Sequence, residues 1–389
     1  MNHEKKTKVI FISTVFGAVN TGPAIYANYL EEAFRNDPEI DFEMVVPSGS
    51  YNNKKIHGVA AGHNSLDFYK RIQTTALNIA NSFPTPPILH TNNAHAIWKF
   101  RNYKGPILAQ VNDYDAAHAM HNPFGKIRTY GLRRYSSLFW RRLKEKRATQ
   151  FSTRFIFNSK YTQKITLQSY NSPSLRKSVV IYKAVDLDHF ILPKSTEKFD
   201  FNLIGKQRIL FLGANWRRKG LDLAIHALKK ILPSNPSCAL IVAGKKGQKA
   251  DAAIAALPQK LGIAENVQFL GTVKREDLPF LFRECDLLTL PSREEALGVA
   301  ILEAFASGLP VAGADVGGIS EILGGCQHSV LVHPNDPSDL ATAFQKILSS
   351  KSKRNDIQRE CHTVANRFSK EVMIKKIKNL YLEIEASRT

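Results

Sequence analysis

The stretch DLLTLPSREEALGVAILEAFASGLPVAG, residues 286–313, contains a strand, a helix and a second strand. DLLTLPS (286–292) and PVAG (310–313) are apolar runs bounded by Pro or Gly, and a helical pattern that begins near Gly298 separates them. Continuous rather than alternating hydrophobicity is typical of strands in a parallel sheet that is covered on both faces. Glu303 interrupts the apolar helix, and a buried carboxylate there needs hydrogen-bond donors.

The same alternation of apolar runs and helical patterns continues along the chain. Further predicted strands lie at 9–13, 42–47, 86–90, 106–111, 154–159, 208–213, 239–244, 267–271 and 329–334. This pattern predicts an α/β fold with two tandem doubly wound, Rossmann-like parallel-sheet domains facing a central cleft. We place the first domain at residues 1–185 and the second at 186–369, beyond which an amphipathic helix at 370–389 is predicted to pack back on the first domain.

The charge of the chain is strongly positive. Its 389 residues include 54 Lys and Arg against 34 Asp and Glu, a formal charge of +20, so anionic partners are expected. The basic and aromatic stretch at 126–147 allows two interpretations: an amphipathic helix on an anionic membrane surface, or a core-packed helix with a solvated basic face. Nucleic acid is not an expected partner, because no nucleic-acid-binding motif accompanies the charge.

Two features of the sequence indicate the cellular compartment in which the protein is expected. No run reaches the ~18 apolar residues of a membrane span, and the first residues lead into a strand pattern instead of a signal peptide. We therefore expect a cytoplasmic protein, peripheral at the inner membrane face if the membrane interpretation of 126–147 holds. Four scattered cysteines without a CxxC pair predict core residues and neither a disulfide framework nor a zinc site.

Two loops of the second domain carry charged residues at the ends of predicted strands. Glu295 follows one strand, and Leu297, Gly298 and Val299 open the next helix, where free amides favour a phosphate. In FLGANWRRKGLDL (211–223), Arg218 and Lys219 are predicted in the first turn of a helix. Cations there oppose the helix dipole, a conflict that a bound diphosphate would remove.

Glu303 itself has two interpretations. Two vicinal ribose hydroxyls would give its carboxylate one donor for each oxygen. Alternatively, an Arg or Lys of the same core pairs with it. In the first domain, GAVNTGPAIYANYL (17–30) places Gly17 and Gly22 between a strand and a helix, where the backbone can approach a phosphate or sugar closely.

No metal site is predicted. DYD (113–115) and DLD (186–188) match the manganese-binding D-x-D in three letters only, and His90, His95, His118 and His121 lack the spacing of metal ligands. The chain contains neither GxGxxG nor GxxxxGK, so a dinucleotide fingerprint and a P-loop are not supported.

These residues resemble the retaining glycosyltransferases of family 4, also called group 1, which have the GT-B fold. The family pattern P-S-x-x-E-G-F-G-x-x-x-L-E-A appears here as PSREEALGVAILEAFASGLPV, with its E-x7-E pair at Glu295 and Glu303. Supporting matches are the K-G turn at Lys219-Gly220, FLGTV at 269–273, GGISEI at 317–322 and TGPA at 21–24.

The resemblance implies roles for the donor-binding residues. Glu303 would bind the ribose hydroxyls and Glu295 the hydroxyls of the donor sugar, while Arg218 and Lys219 would bind the diphosphate. The loop containing Thr21 and Gly22 would contact the diphosphate or sugar from the opposite domain, and Val273, at the end of FLGTV, joins the nucleotide-binding candidates together with Gly17, Leu297, Gly298 and Val299.

The resemblance also implies catalytic candidates and a departure from the family. The family often has His-Asp after the fourth strand of the first domain, where this chain has Asn112-Asp113. Asn can form hydrogen bonds but cannot titrate. Retention at the anomeric carbon and the absence of a bound metal are implied as well, with Arg218 and Lys219 stabilising the charge of the leaving diphosphate.

We therefore predict a retaining, metal-independent hexosyltransferase that needs no cofactor. Its donor would be a nucleotide diphosphate sugar, with UDP ahead of GDP, and its acceptor a glycan or a lipid-linked precursor of a surface polysaccharide such as lipopolysaccharide. Two alternatives remain: a non-catalytic sugar-nucleotide-binding protein, which Asn112 would suit, and a GT-B-type sugar-nucleotide epimerase.

Overall fold

The computed structural model describes residues 6–17, 21–61, 65–94, 97–118, 132–191, 207–246, 249–349 and 354–388. The chain divides into two compact units, one formed by Met1–Lys183 with Glu371–Thr389 and the other by Ala184–Lys370. Each unit is built on one parallel sheet.

The first unit contains a seven-stranded sheet. Its strands are β1 (Thr7–Ile12), β2 (Ile40–Pro47), β3 (Ile56–Val59), β4 (Ile88–Thr91), β5 (Ile107–Val111), β6 (Arg154–Phe157) and β7 (Ser178–Val180). The helices between them are α1 (Gly22–Phe34), α2 (Ser65–Asn81), α3 (Asp115–His118), α4 (Leu132–Ala148) and α5 (Lys160–Tyr170). The strand order is β3-β2-β1-β4-β5-β6-β7.

The second unit contains a six-stranded sheet. Its strands are β8 (Gln207–Leu212), β9 (Cys238–Ala243), β10 (Val267–Gly271), β11 (Leu287–Leu290), β12 (Val311–Ala314) and β13 (Val330–Val332), in the order β10-β9-β8-β11-β12-β13. The helices are α6 (Leu187–Ile191), α7 (Trp216–Lys219), α8 (Leu221–Ile231), α9 (Lys249–Ala255), α10 (Leu257–Lys260), α11 (Leu278–Arg283), α12 (Val299–Ala306), α13 (Ile319–Leu323), α14 (Pro337–Ser349) and α15 (Arg354–Asn366).

Both strand orders are those of a doubly wound fold. In each sheet the order reverses between its first and fourth strands, β1 and β4 in one unit and β8 and β11 in the other. Ligands of such sheets bind outside the carboxyl ends of the strands at that point. The predicted fold class, two doubly wound parallel-sheet domains, is confirmed. The edge strands β3 and β7 were not predicted, since His57 and Gly58 interrupt the apolar residues of β3 and no residue of β7 is fully buried.

The last helix, α16 (Lys370–Ala386), returns the chain to the first unit. Its buried face includes Ile377, Leu380 and Tyr381. The hydroxyl of Tyr381 lies 2.6 Å from Nδ1 of His90, and Lys378 contacts the Asp37 carboxylate at 2.9 Å. The helix thus contributes apolar surface, a buried hydrogen bond and an ion pair to the first unit.

Buried polar and sulfur-containing residues belong to these cores. Complete burial lowers the pKa of His90 to about 3, so its imidazole is neutral and part of the packing. All four cysteines are buried and free, as the sequence predicts. No helix of the described chain is both long and apolar enough to cross a bilayer.

Candidate functional site

The reversal point of the second sheet brings two loops together. β8 and β11 are neighbours, with Phe211 beside Thr289, so the turn after β8 and the loop after β11 leave the sheet side by side. The amide of Arg293 donates to the carbonyl of Arg218 at 2.8 Å. Gly220 has φ +78°, and a Cβ there would lie 2.1 Å from the carbonyl oxygen of Pro291. Glycine is therefore required where the two segments touch.

Charged side chains from both loops meet at this contact. Lys219 Nζ donates to Glu295 Oε2, and the two side chains are only 15% and 12% exposed. Arg218 Nη1 donates to the carbonyl of Glu294 at 3.1 Å. Arg218 and Lys219 thus lie together with Glu295, 76 residues beyond Lys219 in sequence, at the carboxyl edge of the sheet.

The structure divides the predicted helix into two, and the cations lie in the first and shorter of them. Arg218 and Lys219 lie in the last turn of the four-residue helix α7, and Gly220, in the left-handed region, separates them from α8. The first turn of α8 contains Asp222, which forms a two-pronged ion pair with Arg293 at 2.7 and 2.8 Å. The cations therefore lie just before the N-terminus of α8 and not within its first turn, and the assignment of Arg218 and Lys219 as anion ligands depends on the contacts of their side chains.

The loop between β11 and α12 is fixed by close packing against neighbouring backbone. Gly298, with φ +93°, precedes α12, and Val299 at the first position of that helix is partly exposed. Leu297 is 1% exposed, so only its backbone is available to a ligand. A Cβ at Gly317 would lie 1.6 Å from the Glu295 carbonyl oxygen, which shows how closely the turn before α13 packs against this segment.

Glu303 is buried as predicted, and its donor is a side chain. Arg275 Nη1 donates to Glu303 Oε1 at 2.8 Å, which is the second of the two interpretations given above. Burial raises the pKa of the Glu303 carboxyl, and the Arg275 charge opposes that rise. Oε2 of Glu303 has no hydrogen-bond donor among the residues that the structure describes.

Arg275 is itself firmly placed. It lies in the short 3₁₀ turn Arg275–Asp277, two residues after Val273, in the segment that follows β10. Its guanidinium stacks 5.4 Å from the centre of the Phe190 ring, and its carbonyl contacts His189 Nε2 at 3.1 Å. Val273 therefore belongs to the segment that places Arg275 beside Glu303.

In the first unit, the predicted glycine loop opens α1. Gly17 has φ +85°, and its N–H and C=O bind the side-chain amide of Asn28 at 3.3 and 3.0 Å. Thr21 is exposed and directly precedes α1, which begins at Gly22. Its side chain forms no capping hydrogen bond with this helix. A Cβ on Gly22 would lie 3.4 Å from Lys183 Nζ, so this lysine reaches the helix start.

Asn112 and Asp113 follow β5 and are both held by neighbours. The Asn112 side chain donates to Asn92, and Asp113 pairs with Arg141 of α4 at 2.9 Å. Arg141 Nε also donates to Glu145 at 2.8 Å. Burial raises the pKa of Glu145 and Arg141 opposes that rise, while the hydroxyl of Tyr170 donates to the other Glu145 oxygen at 2.6 Å.

Among the residues weighed above as metal ligands, Asp186 and His90 have other contacts. Asp186 lies 3.6 Å from Lys370, and His90 is in the core. His95 and His121 lie outside the described residues, as do the side chain of His118 and residues 126–131 of the basic stretch. Within the described part of the chain, no three or more His, Cys, Asp or Glu residues have the geometry of a metal site.

The described part of the basic stretch forms α4 and combines features of both interpretations. Arg142 points inward and donates to the carbonyls of Ala117 and Ser169 at 2.6 and 2.9 Å. Phe139, Trp140 and Leu143 are 38%, 62% and 38% exposed. The helix therefore packs partly through arginine, and it presents apolar side chains to solvent.

Sequence reasoning missed several residues of these sites: Asn92, Arg141, Asn158, Lys183, Arg275 and Arg293. Asn92 and Asn158 follow β4 and β6 directly, so the rule that ligands gather at the carboxyl ends of parallel strands could have found them. Arg275 could not be assigned to Glu303 from the sequence, because the two residues are 28 positions apart and only the fold brings them together.

Comparison with known proteins gives one family match. Residues 194–362 match the family model described as glycosyl transferases group 1. The uncharacterized glycosyltransferase MJ1607 of Methanocaldococcus jannaschii is 33% identical over 208 residues, 52% of this chain and 52% of that protein. D-inositol 3-phosphate glycosyltransferase of Salinispora tropica is 28% identical over 316 residues, 77% of this chain and 60% of that protein. The chain thus spans between half and two thirds of the length of these curated relatives.

A solved structure extends the likeness over nearly the whole chain. Anabaena Alr3699/HepE in complex with UDP has a TM-score of 0.73 at 18% identity, with coverage of 97% of this chain and 100% of that one. At this identity the match concerns the fold, which is that of the GT-B glycosyltransferase structures.

Proposed function

We propose that this protein is a retaining glycosyltransferase that transfers a hexose from a nucleotide diphosphate sugar. One observation carries the proposal: at the reversal point of the second sheet the Lys219 side chain pairs with the Glu295 carboxylate, and the Arg218 side chain binds the carbonyl of the adjacent Glu294. Positive charge for a diphosphate and a carboxylate for sugar hydroxyls lie together there. The match of residues 194–362 to glycosyl transferases group 1 supports the same activity.

The donor is proposed to be a UDP sugar, with GDP as the second choice. HepE, whose fold is similar, binds UDP. In this proposal Lys219 and Arg218 contact the diphosphate, the amides of Leu297, Gly298 and Val299 donate to it, and Glu295 accepts from hydroxyls of the hexose. The ribose hydroxyls donate to Oε2 of Glu303, while Arg275 keeps Oε1 in place.

The proposed reaction needs neither a cofactor nor a metal ion. The bond between the anomeric carbon and the diphosphate oxygen breaks, and a bond to the acceptor oxygen forms on the same face of the sugar. The acceptor proton passes to the leaving diphosphate. Arg218 and Lys219 stabilise the charge that develops on this leaving group, which is the role of a metal in other transferases.

The acceptor is proposed to be a glycan or a lipid-linked precursor of a surface polysaccharide at an anionic membrane. Trp140 and its exposed neighbours Phe139 and Leu143 would enter the interface, and Lys146 and Arg147, exposed on the same helix, would contact anionic headgroups. This membrane contact also suits the +20 charge of the chain.

The donor assignment is tested by thermal unfolding with UDP, GDP, ADP and TDP sugars, followed by turnover assays. A ligand that binds the folded form raises the unfolding temperature in step with its affinity. We expect a UDP sugar to give the largest shift. Stabilisation without nucleotide release over a broad acceptor panel would favour the non-catalytic sugar-nucleotide-binding protein, which is the second candidate because Asn112 cannot titrate.

Replacing Lys219 tests the diphosphate site. Lys219→Ala should lower turnover about 100-fold, the scale of losing one group that stabilises transition-state charge. Arg217→Ala is the matched control, because Arg217 is exposed in the same turn and its loss changes the net charge equally. Full activity of Lys219→Ala, or an equal loss in both variants, would contradict the assignment.

The membrane contact is tested by flotation with vesicles of neutral and anionic lipid. Wild-type protein should float with anionic vesicles only, and Trp140→Ala should reduce that fraction by about tenfold, since Trp140 is the most exposed of the apolar side chains of α4 that the structure describes. Leu66→Ala removes a 44% exposed apolar residue from α2 and serves as the control. Equal binding to neutral vesicles, or no effect of Trp140→Ala, would count against the proposal.

A further inference from the structure

A cavity of about 190 Å³ lies at the amino-terminal edge of the second sheet. Asp286 and Pro310 line it and directly precede β11 and β12, so it lies at the opposite edge of the sheet from Lys219 and Glu295. The ends of α11, α12 and α14 and the start of α15 complete its wall. All of its lining residues belong to the second unit, and the cavity is separate from the candidate site described above.

The wall of this cavity is mostly apolar and buried. Its apolar residues include Phe282, Leu309, Ile347, Leu348 and Ile357, none of which is more than 6% exposed. An apolar cavity of about 150 Å³ stays dry and can hold a benzene molecule. The cavity here is larger, so it has room for an apolar group of about six to eight carbon atoms. Such a group gains free energy by leaving water.

Two arginines line the exposed part of the cavity. Arg283 ends α11 and Arg354 begins α15, and both side chains are exposed. Neither arginine forms an ion pair with a residue that the structure describes, and Arg283 uses Nη2 to bind the Ile191 carbonyl. A guanidinium group can bind a carboxylate through two parallel hydrogen bonds. Positive charge is therefore available beside an apolar cavity.

The acceptors near these arginines are bonded within the protein. Among the described residues that line the cavity, Asp286 is the one acid, and its Oδ2 accepts from the Arg208 amide at 2.8 Å. At the end of α12, the Ala304 carbonyl accepts from the Leu309 amide at 2.8 Å. The lining thus has two positive charges against one negative charge, and the negative group is already hydrogen-bonded. This balance favours an anionic ligand over a cationic one.

We propose that the cavity is a ligand site of its own, which binds a small carboxylate that has an apolar group of about six to eight carbon atoms. The apolar group occupies the space beside Leu348 and Ile357, and the carboxylate accepts hydrogen bonds from Arg283 and Arg354. The inference does not depend on the proposed function, because every group that it uses lies at the edge of the sheet opposite the candidate site. A carboxylate and a sugar nucleotide can therefore bind the second unit together.

Titration calorimetry with octanoate, octanol and acetate tests the site. Octanoate should bind at one site per chain and at least about tenfold more tightly than octanol, which lacks the charge, or acetate, which lacks the apolar chain. Equal affinity for octanol would overturn the role of the arginines, and equal affinity for acetate would overturn that of the apolar wall. Octanoate that does not saturate the protein would overturn the site itself.

Replacing Arg354 tests the anion contact. Arg354→Ala should weaken octanoate binding about tenfold, because a charged hydrogen-bond donor is lost. Arg359→Ala is the matched control, since Arg359 lies on the same helix, pairs with Asp356 at 2.5 Å and changes the net charge equally when it is removed. It should keep the wild-type affinity. Equal losses in the two variants would indicate attraction by net charge only and would contradict the contact.

A second measurement uses only the wild-type protein. In methyl NMR with labelled isoleucine, octanoate should shift the signals of Ile347 and Ile357 and leave that of Ile319 unchanged, because Ile319 lies beside Gly298 at the other edge of the sheet. A saturating UDP sugar should not reverse these shifts. Shifts at Ile319 alone, or displacement of octanoate by the UDP sugar, would place octanoate in the candidate site and overturn the inference. Absence of binding to any sugar nucleotide would instead contradict the proposed function, and the octanoate shifts would still decide this inference.

Discussion

Glu303 shows why an enclosed carboxylate is ambiguous when only its sequence neighbours are known. Arg275 donates to one of its oxygens, so the acid is partly satisfied by the protein. The other oxygen has no donor among the described residues. A salt bridge and a ligand contact are therefore compatible, each using one oxygen of the same carboxylate.

Replacing Glu303 with glutamine should weaken UDP binding about tenfold, because a charged acceptor forms stronger hydrogen bonds with hydroxyls than a neutral one does. Titration calorimetry with UDP and with 2′,3′-dideoxy-UDP measures the effect. The wild type should prefer UDP, and Glu303→Gln should lose that preference. If the dideoxy nucleotide binds the wild type equally well, Glu303 does not contact the ribose.

The pH dependence of the same residue has a definite sign. Burial raises the Glu303 pKa in the folded protein, so the folded state binds this proton more tightly than the unfolded state does. The contribution of Glu303 to the free energy of unfolding therefore falls as pH rises from the ordinary carboxyl range through the raised pKa. UDP affinity should change in the opposite direction, since only the ionised acid is the stronger acceptor. Glu303→Gln should show neither dependence in denaturation and binding measured from pH 4 to 8.

At the level of elements, the turn between α7 and α8 restricts the choice of residue most strongly in the candidate site. Gly220 combines a positive φ with direct contact to the Pro291 carbonyl. This one contact aligns the segment with the cations against the segment with Glu295. Its geometry therefore affects stability and binding together.

Gly220→Ala should destabilise the second unit more than Gly262→Ala. Gly262 also has a positive φ, +65°, but a Cβ there meets nothing within 4 Å, so its replacement costs only the backbone strain of about 1–2 kcal/mol. Gly220→Ala adds a collision and should also weaken UDP-sugar binding. Chemical denaturation and calorimetry of both variants measure this, and equal losses would refute the role given to the contact.

The sequence predicts elements best where a run of apolar residues is continuous. It predicts them least well where contacts between distant segments determine the backbone conformation. Eleven strands were predicted from their continuous apolar runs, and most of these strands are buried on both faces, whereas β3 contains the partly buried His57 and lies at an edge. The helix start at Gly298 was also predicted. The separate helix α7 was not, since nothing in WRRKG indicates that Gly220 adopts a left-handed conformation in contact with Pro291.

The candidate site was predictable to a similar extent. Strand ends and the family pattern indicated Arg218, Lys219, Glu295 and Glu303, because these features are local in sequence. Their partners were not predictable. Arg275 and the amides of Asn92 and Asn158 are brought to their places by the sheet order, which periodicity alone does not give.

On the scale of the whole molecule, the first unit is assembled from two distant parts of the chain. Residues 371–389 belong to it although all of the second unit lies between. Tyr381 is fully buried against Phe34, with ring centres 5.7 Å apart, and is hydrogen-bonded to His90. The stability of the first unit therefore depends on the C-terminal helix.

Tyr381→Phe should lower the free energy of unfolding of the first unit by about 1–3 kcal/mol, because it leaves the buried Nδ1 of His90 without a partner. Lys376→Ala, at an exposed position of the same helix, should change it by less than about 0.5 kcal/mol. Denaturant unfolding that resolves the two units provides the comparison. An unchanged midpoint for Tyr381→Phe would show that the hydroxyl contributes nothing.

This arrangement has a consequence for biosynthesis. Domains commonly fold in order as they leave the ribosome, the N-terminal one first. Here the segment that completes the N-terminal unit is translated only after the entire second unit, so the early part of the nascent chain must wait with the docking surface for α16 uncovered. Chaperone capture and protease sensitivity of stalled chains should accordingly persist until the codons beyond 371 have been read and their product has emerged from the exit tunnel.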